Sequence, residues 1–113
     1  MSSSLIECCT PLAGSDLSAA EAEELERLFR VVADRNRLRI LNILDRAGEP
    51  VCVCEFTATL GLAQPTVSYH LRILREAGLV DRRQQRNFAY YSVRPGALAH
   101  LAMLLGPARA EAV

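Results

Sequence analysis

The four cysteines of this sequence form two close pairs and are its most chemically distinctive residues. Cys52 and Cys54 stand one residue apart in "PVCVCEF", and Cys8 and Cys9 are adjacent in "IECCTPL". Thiolates are soft ligands, so such pairs can bind soft metal ions or metalloids. They can also form disulfides, act as a redox couple, or pack as small apolar side chains in a core. Which of these roles the two pairs can have depends on the structural elements that carry them.

The size and composition of the chain limit its class. It has 113 residues, 50% of them hydrophobic, which favours one domain that gains stability by dimerisation. No apolar run is long enough to span a membrane, and the N-terminus lacks a basic region followed by an apolar one. We therefore expect a cytoplasmic protein without membrane association. Thiols in that compartment usually stay reduced, so a structural disulfide is the less favoured interpretation.

The charges are unevenly distributed, although the formal net charge is zero. All 13 basic side chains are arginine. Residues 1–31 carry six acids and two arginines, whereas residues 64–94 carry six arginines and two acids. A basic cluster on one part of a chain is typical of a phosphate-binding surface, although an ordinary solvated face would have the same composition. The second half is therefore the candidate nucleic-acid interface.

Apolar spacing, capping residues and glycine stops predict five helices, at 17–33, 36–48, 54–61, 62–78 and 95–106. The first opens with Ser18 and Glu21 in a capping box, and the second carries a stripe of Leu38, Leu41 and Leu44. Residues 1–16 are expected to form a flexible cysteine arm, residues 17–106 the DNA-binding and dimerisation domain, and residues 107–113 a tail.

Residues 79–93 change to a strand-like composition, with β-branched and aromatic residues around the polar stretch "QQRN", and predict a β-hairpin. The third and fourth helices are joined by a few residues around Gly61, which is typical of a helix-turn-helix. A basic hairpin directly after it is a wing. The predicted fold is therefore mainly α with a small β-hairpin (α+β), a winged helix-turn-helix.

The outward face of the fourth helix follows from a rotation of about 100° per residue, taking Val67 as the centre of the buried face. His70 falls nearer the buried side and is expected to be a satisfied, half-buried histidine. Gln can pair with adenine and Arg with guanine when a helix lies in the major groove. The candidate DNA contacts on the helix and the wing are Gln64, Thr66, Ser68, Tyr69, Arg72, Arg83 and Arg86.

Three segments resemble the ArsR–SmtB family of winged-helix metalloregulatory repressors: "VVADRNRLRILNIL", "CVCEFTATLGLAQPTVSYHLRILREAGLV" and "NFAYYSV". The resemblance runs from about Leu25 to Leu105. It implies a homodimer that binds an inverted-repeat operator, represses a resistance operon and leaves the DNA when an inducing metal ion or metalloid binds. The family often has a glycine and then a basic residue at the wing tip. This chain has Arg86 and Asn87 there, and we expect Asn87 to tolerate a left-handed backbone.

The same resemblance implies a metal site. "CVC", at the start of the third helix, is similar to the thiolate motif of the arsenite and cadmium/lead branches. Family members with one more cysteine three residues later build a three-thiol arsenite site within that helix; here that position is Thr57. Other members bring a cysteine-bearing arm onto this helix, often across the dimer. The implied ligands are Cys8, Cys9, Cys52 and Cys54. Whether three or four of them ligate, and whether they come from one chain or two, stays open.

Trivalent arsenic or antimony is the expected inducer, because both favour three thiolates; cadmium, lead, mercury and zinc remain alternatives. A thiol-based redox-sensing repressor on the same fold is a further alternative. The family's second metal site requires Asp, His and Glu where this chain has Pro95, Gly96 and Ala97, so a nickel, cobalt or zinc sensor of that type is not expected. No organic cofactor is expected, and the chain lacks the patterns of an enzyme, such as C-x-x-C near a βαβ unit.

The first and last helices also carry more apolar residues than one small winged domain needs. We expect the two helices to form the dimer interface through Leu25, Leu28, Phe29, Val32, Leu98, Leu101, Met103, Leu104 and Leu105.

Overall fold

The structure is a computed structural model and describes residues 5–7, 9–14 and 16–106. Within this part of the chain, a 3-10 helix at Leu5–Glu7 precedes five α-helices and three antiparallel strands. In chain order the elements are α1 (Ala19–Val32), α2 (Arg35–Ala47), β1 (Val51–Cys52), α3 (Val53–Leu60), α4 (Gln64–Glu76), β2 (Val80–Gln85), β3 (Phe88–Val93) and α5 (Ala97–Leu105). This order confirms the α+β winged helix-turn-helix; the predicted tail, 107–113, lies outside the described residues.

The sequence signals for helix ends are confirmed. The Ser18 hydroxyl accepts from the Glu21 N–H, and the Glu21 carboxylate accepts from the Ser18 N–H, so both halves of the capping box are formed. Asp34 caps α2, and Gly48 and Gly61 end α2 and α3 in the left-handed conformation. The left-handed Gly61 begins the turn that separates α3 from α4.

The buried face of α2 differs from the predicted leucine stripe. Leu41 and Leu44 are buried, but Leu38 is 53% exposed, and Ile40 is fully buried in its place. Leucines three positions apart drift by about 60° per step around a helix, and Leu38 lies about 160° from the fully buried Ile40, on the far side of Leu41. The buried face of α2 is centred on Ile40 and Leu44, and Leu38 lies on a different surface.

That surface is an apolar groove between α1, α2 and α5, lined mainly by Phe29, Val32, Leu38, Leu98, Leu101 and Leu105. Leu25, Leu28 and Leu104 were expected at a dimer interface, but they are buried in the core of this chain. They face inward because they fill the space between α1, α5 and the rest of the domain. Of the residues expected at the dimer interface, those that remain accessible to a partner line the groove or, like Met103, are exposed beside it in α5.

Strand β1 was not predicted, because two residues are too short to show an alternating pattern. It lies at the edge of the sheet, whose order is β1-β3-β2, and pairs Val51 with Tyr91 and Cys52 with Tyr90. Cys52 is also the N-cap of α3 and has an extended backbone, with φ −70° and ψ 144°. The "CVC" segment was expected to open the third helix, and this expectation is wrong for Cys52.

The wing turns through Arg86 and Asn87, between the paired residues Gln85 and Phe88. The left-handed residue is Arg86, with φ +58°, and not Asn87 as the sequence suggested. A non-glycine residue in this conformation costs about 1–2 kcal/mol. The Gln84 side chain offsets part of that cost by donating to the Arg86 carbonyl at 3.1 Å. The tip is therefore a strained turn that is supported by its own strand.

The described part of the cysteine arm contacts its own chain. The N–H of the buried Ile6 donates to the Ala77 carbonyl at 2.9 Å, and the N–H of Leu12 donates to the Leu104 carbonyl at 2.9 Å. The arm that was expected to be loose therefore runs beside α5 and the C-terminal end of α4 at these two points. Among the described residues, no helix combines the length and the apolar character needed to cross a bilayer.

Candidate nucleic-acid interface and thiol site

The α4 helix has one buried face and one exposed face, as the 100° rotation predicted. Val67, Leu71 and Leu74 are fully buried, whereas every predicted contact on this helix is exposed, namely Gln64, Thr66, Ser68, Tyr69 and Arg72. The guanidinium carbon of Arg72 lies 5.8 Å from the centre of the Tyr69 ring, within cation–π range. The five side chains thus form one polar surface that begins at the N-terminal turn of the helix.

The wing adds exposed positive charge to this surface. Arg83 and Arg86 are exposed on the hairpin, and within the described ranges neither they nor Arg72 forms an ion pair. Arg94 differs, because its Nε lies 3.1 Å from the Asp81 carboxylate at the base of the wing. Three unpaired arginines are therefore available for phosphate or base contacts.

The two thiols of "CVC" are in contact. The Cys54 thiol donates to the Cys52 sulfur at 2.8 Å; Cys52 is 6% exposed and Cys54 is exposed. Residues two apart on a helix point about 200° away from each other. The two thiols meet nonetheless, because Cys52 lies in extended backbone before the helix, which turns its side chain toward Cys54.

The environment of the thiol pair raises the pKa of Cys54. The hydrogen bond to Cys52 is the largest cause, and desolvation and the electrostatic interactions with Cys52 and Glu55 raise the pKa of the Cys54 thiol further. A raised pKa lowers the thiolate population at neutral pH and so reduces reactivity as a nucleophile. A divalent metal ion must therefore displace the Cys54 proton when it binds.

The arm cysteines differ from the "CVC" pair. Cys9 is disulfide-bonded and packs partly buried against the core, whereas Cys52 and Cys54 are free thiols. The expectation that the thiols are reduced is therefore not met at Cys9. Cys8 lies outside the described residues. In the described part of the chain, no three His, Cys, Asp or Glu side chains are grouped closely enough to hold a metal ion. The described thiols thus supply two ligands of the three that arsenic favours.

The two histidines have different surroundings. His70 is 7% exposed, and its Nδ1 lies 3.0 Å from a terminal guanidinium nitrogen of Arg37, so it is buried and satisfied. His100 stands on α5, and its buried Nε2 has no hydrogen-bond partner among the described residues. Arg37 was missed by the sequence analysis, because a single arginine in the first turn of α2 has no signal beyond its place after the Asp34 cap.

Comparison with known proteins identifies the family. The family described as "Bacterial regulatory protein, arsR family" matches residues 34–82. The arsenical resistance operon repressor of Escherichia coli (strain K12) is 38% identical over 82 residues, which are 73% of this chain and 69% of that protein. The cadmium resistance transcriptional regulatory protein CadC homolog of Staphylococcus aureus is 30% identical over 81 residues, 72% of this chain and 66% of that protein.

The fold comparison agrees. The crystal structure of the AntR antimony-specific transcriptional repressor superposes with a TM-score of 0.65 at 32% identity and covers 82% of each chain. The family match at residues 34–82 includes the helix-turn-helix, the "CVC" segment and the first half of β2, the first strand of the wing. The chain therefore belongs to the ArsR family of bacterial regulatory proteins, which are DNA-binding transcriptional regulators and not enzymes.

Proposed function

We propose that this chain is a cytoplasmic transcriptional repressor that binds an inverted-repeat operator as a homodimer and leaves it when trivalent arsenic or antimony binds its cysteines. The observation that carries the proposal is the contact between the Cys52 and Cys54 sulfurs, 2.8 Å apart at the junction of the sheet and the helix-turn-helix. Soft thiolates select soft ions. The arsenical and antimony repressors among the relatives support this class of inducer.

On DNA, the N-terminal turn of α4 would enter the major groove, where Gln64 and Thr66 reach base edges. Ser68, Tyr69 and Arg72 follow on the same exposed face. The wing would place Arg83 and Arg86 against the phosphates beside that groove. Phosphate contacts set the affinity and the register, whereas contacts to base edges set the sequence preference.

These two kinds of contact can be separated by mutation. Arg83→Ala and Arg86→Ala should each weaken operator binding and reduce the slope of log affinity against log salt by about one, because each removes a phosphate contact. Gln64→Ala should relax the sequence preference and leave the slope unchanged. Fluorescence anisotropy at several salt concentrations measures both effects.

Arg27→Ala is the matched control for these variants, because Arg27 is an exposed arginine on α1 that faces Glu23 at 3.9 Å. It should leave affinity and slope unchanged. Equal slopes for Arg83→Ala, Arg86→Ala and the unaltered protein would show that the wing does not contact the operator.

The apolar groove between α1, α2 and α5 supports the proposed homodimer. Leu38 and Leu105 are more than half exposed there, beside the partly buried Phe29 and Leu101. A second copy of the same groove would cover these side chains from water, which stabilises association in proportion to the apolar area buried. Two-fold symmetry would then place two α4 helices on one face, as an inverted repeat requires.

The register of the sheet offers a route from the thiols to the wing. Cys52 on β1 pairs with Tyr90 on β3, and Tyr90 pairs with Arg83 on β2. A ligand that binds Cys52 and draws the arm toward it would therefore shift β1. Because β1 is hydrogen-bonded to β3, a strand of the wing, the wing would move as well. Inducer and DNA must weaken each other's binding by the same factor, because coupling between two sites is reciprocal.

A redox-sensing repressor is the second candidate function, because Cys9 is disulfide-bonded in this structure. The two candidates respond differently when a phosphine reductant is present in excess. A phosphine is needed here because dithiol reductants chelate arsenite. A metalloid sensor leaves the operator when arsenite is added to the reduced protein. A redox sensor stays bound under that treatment and responds to oxidant alone.

The pH dependence of operator release should distinguish arsenite from cadmium. Neutral arsenous acid exchanges three hydroxyl groups for three thiol sulfurs, and the three thiol protons leave with them as water, so there is no net proton release. Cadmium displaces protons from protonated thiols such as Cys54 and should bind about tenfold more tightly per pH unit for each proton displaced.

Between about pH 6 and 8, the arsenite concentration for half-release from the operator should therefore stay constant, whereas the cadmium concentration should fall as pH rises. Operator release by the phosphine-reduced protein, titrated at each pH, gives both curves. Release by cadmium but not by arsenite would contradict the proposed inducer and favour the soft-metal sensor.

A further inference from the structure

The Arg37 side chain lies where α1, α2 and α4 meet. It is the third residue of α2, and its backbone N–H donates to the Asp34 carboxylate at 3.1 Å. Its guanidinium donates through Nε to the carbonyl of Val31 and through Nη2 to the carbonyl of Arg30 at 3.4 Å. Carbonyls in the last turn of a helix lack intrahelical partners, so one planar guanidinium serves the C-terminus of α1 while it belongs to α2.

The third contact of this guanidinium reaches the recognition helix. Nη1 of Arg37 lies 3.0 Å from Nδ1 of His70. Arginine has only donors, so Nδ1 must accept this hydrogen bond. His70 is 7% exposed, and it is the only buried polar residue identified in the described part of the chain. Since water is largely excluded here, losing the partner would leave a buried donor or acceptor unsatisfied.

The ring of His70 supports the DNA-facing side of the same helix. The rings of Tyr69 and His70 meet edge to face, with centroids 5.3 Å apart and planes at 62°. Tyr69 is 50% exposed, and the Arg72 guanidinium lies over it. Contacts therefore run without a gap from the corner of α1 and α2, through Arg37 and His70, to Tyr69 and Arg72.

We propose that Arg37 and His70 are positioning residues for operator recognition, which fix the rotation of α4 and the orientation of Tyr69. This inference rests on the proposed role of α4 as the recognition helix. Along the length of α4 the buried apolar side chains Val67, Leu71 and Leu74 also hold the helix, and their packing is non-directional; the bond from the Ile6 N–H to the Ala77 carbonyl holds only its C-terminal end. The Arg37–His70 hydrogen bond is directional, and it fixes geometry that apolar packing leaves adjustable.

A positioning role predicts different effects on the affinity for the operator and on the affinity for random DNA. Reading base edges requires side chains to be held to within about half an ångström, whereas attraction to phosphates does not. Loss of the hydrogen bond should therefore weaken binding to the operator and leave binding to random DNA unchanged. Substitution of Arg37 should also leave the slope of log affinity against log salt unchanged, because Arg37 acts through His70 and does not contact a phosphate.

The test compares a duplex that the unaltered protein selects from a randomised pool with a scrambled duplex of equal length. Arg37→Ala and His70→Leu should each lower affinity for the selected duplex by about tenfold, the loss expected for a hydrogen bond to a charged group. The double variant should lose no more than either single variant, because both remove one interaction. His70→Asn should retain most of the affinity, since its side-chain oxygen can accept at the Nδ1 position.

Arg39→Ala is the matched control, because Arg39 is exposed on the same helix and the substitution removes the same charge. Arg39→Ala should change neither the affinity for the selected duplex nor the affinity for the scrambled duplex. All measurements are made below the thermal midpoint of each variant; Arg37→Lys, which keeps the charge and the stem but lacks the planar fork, replaces Arg37→Ala if the latter does not fold.

Three results would overturn the inference. One is unchanged selectivity in folded Arg37→Ala, which would leave the residue a structural role alone. Another is a smaller salt slope with equal loss on both duplexes, which indicates a direct phosphate contact. The third is additive loss in the double variant. If the unaltered protein selects no preferred duplex, the proposed function fails instead, and that result is read before any variant is made.

Discussion

Cys54→Ser should abolish the release of operator DNA by arsenite while operator affinity without inducer stays the same. The Cys54 sulfur contacts that of Cys52. Replacing Cys54 therefore leaves the "CVC" segment with one of the two thiols that it contributes to the proposed three-thiol site. In the unaltered protein we expect arsenite to weaken operator binding by about 5- to 150-fold, the usual range of coupling between two sites. The variant should show no weakening. Anisotropy of labelled operator against arsenite concentration, in phosphine, measures the difference.

Cys54 is a better residue to replace than Cys52. Cys54 is exposed, so serine there should cost little stability, whereas Cys52 is buried in β1 and serine would bury an additional hydroxyl. Cys52→Ser should therefore lose the arsenite response and also unfold at a lower temperature. Full arsenite release in Cys54→Ser would show that this thiol is not a ligand.

Thr57 provides the matched gain of function. Its hydroxyl donates to the Cys54 carbonyl at 2.7 Å, which places the side chain over the turn that carries the thiol pair. Adding Thr57→Cys to a chain that also carries Cys8→Ser and Cys9→Ser should restore the arsenite response that the arm substitutions remove. No restoration, together with normal operator binding, would argue that the third ligand does not approach from this side of α3.

The sequence predicted the parts of this fold that depend on local chemistry. Ser18 with Glu21, the glycine at the end of α2, and the apolar spacing of Val67, Leu71 and Leu74 are each determined by neighbours within one or two turns. The outward positions of Tyr69 and Arg72 followed from helix rotation, and Gln64 from its place at the N-terminal end of the helix. In these places local propensity and tertiary packing favour the same structure.

The predictions from the sequence fail where contacts between distant parts of the chain determine the structure. Cys52 is extended because β1 pairs with β3, nearly 40 residues later in the chain, and no local signal in "PVCVCEF" encodes that partner. Arg86 takes the left-handed position because a two-residue hairpin sets the backbone at the tip. Leu38 is exposed because the groove belongs to a surface that three helices create together. The Arg37–His70 contact likewise joins residues 33 positions apart.

A mixed dimer of one chain without its arm cysteines and one chain without its "CVC" cysteines should form one complete arsenite site. A homodimer of either altered chain should form none. Leu12 bonds to Leu104, so the arm runs beside α5, which borders the proposed dimer groove. Among the residues that the structure describes, Cys9 is not close enough to Cys52 and Cys54 to complete a group of three ligands. We therefore propose that the arm cysteines reach the partner's thiol pair across the dimer.

The experiment mixes a Cys8→Ser, Cys9→Ser chain with a Cys52→Ser, Cys54→Ser chain and isolates the mixed dimer through two different tags. A site that crosses the dimer leaves one of two sites intact, so X-ray absorption should show one arsenic bound to three sulfurs per mixed dimer and none in either parent. Sedimentation should give a dimer throughout, and a monomer at micromolar concentration would contradict the groove as an interface. A mixed dimer without three-sulfur arsenic would place the site within one chain, since each chain then lacks half of its own ligands.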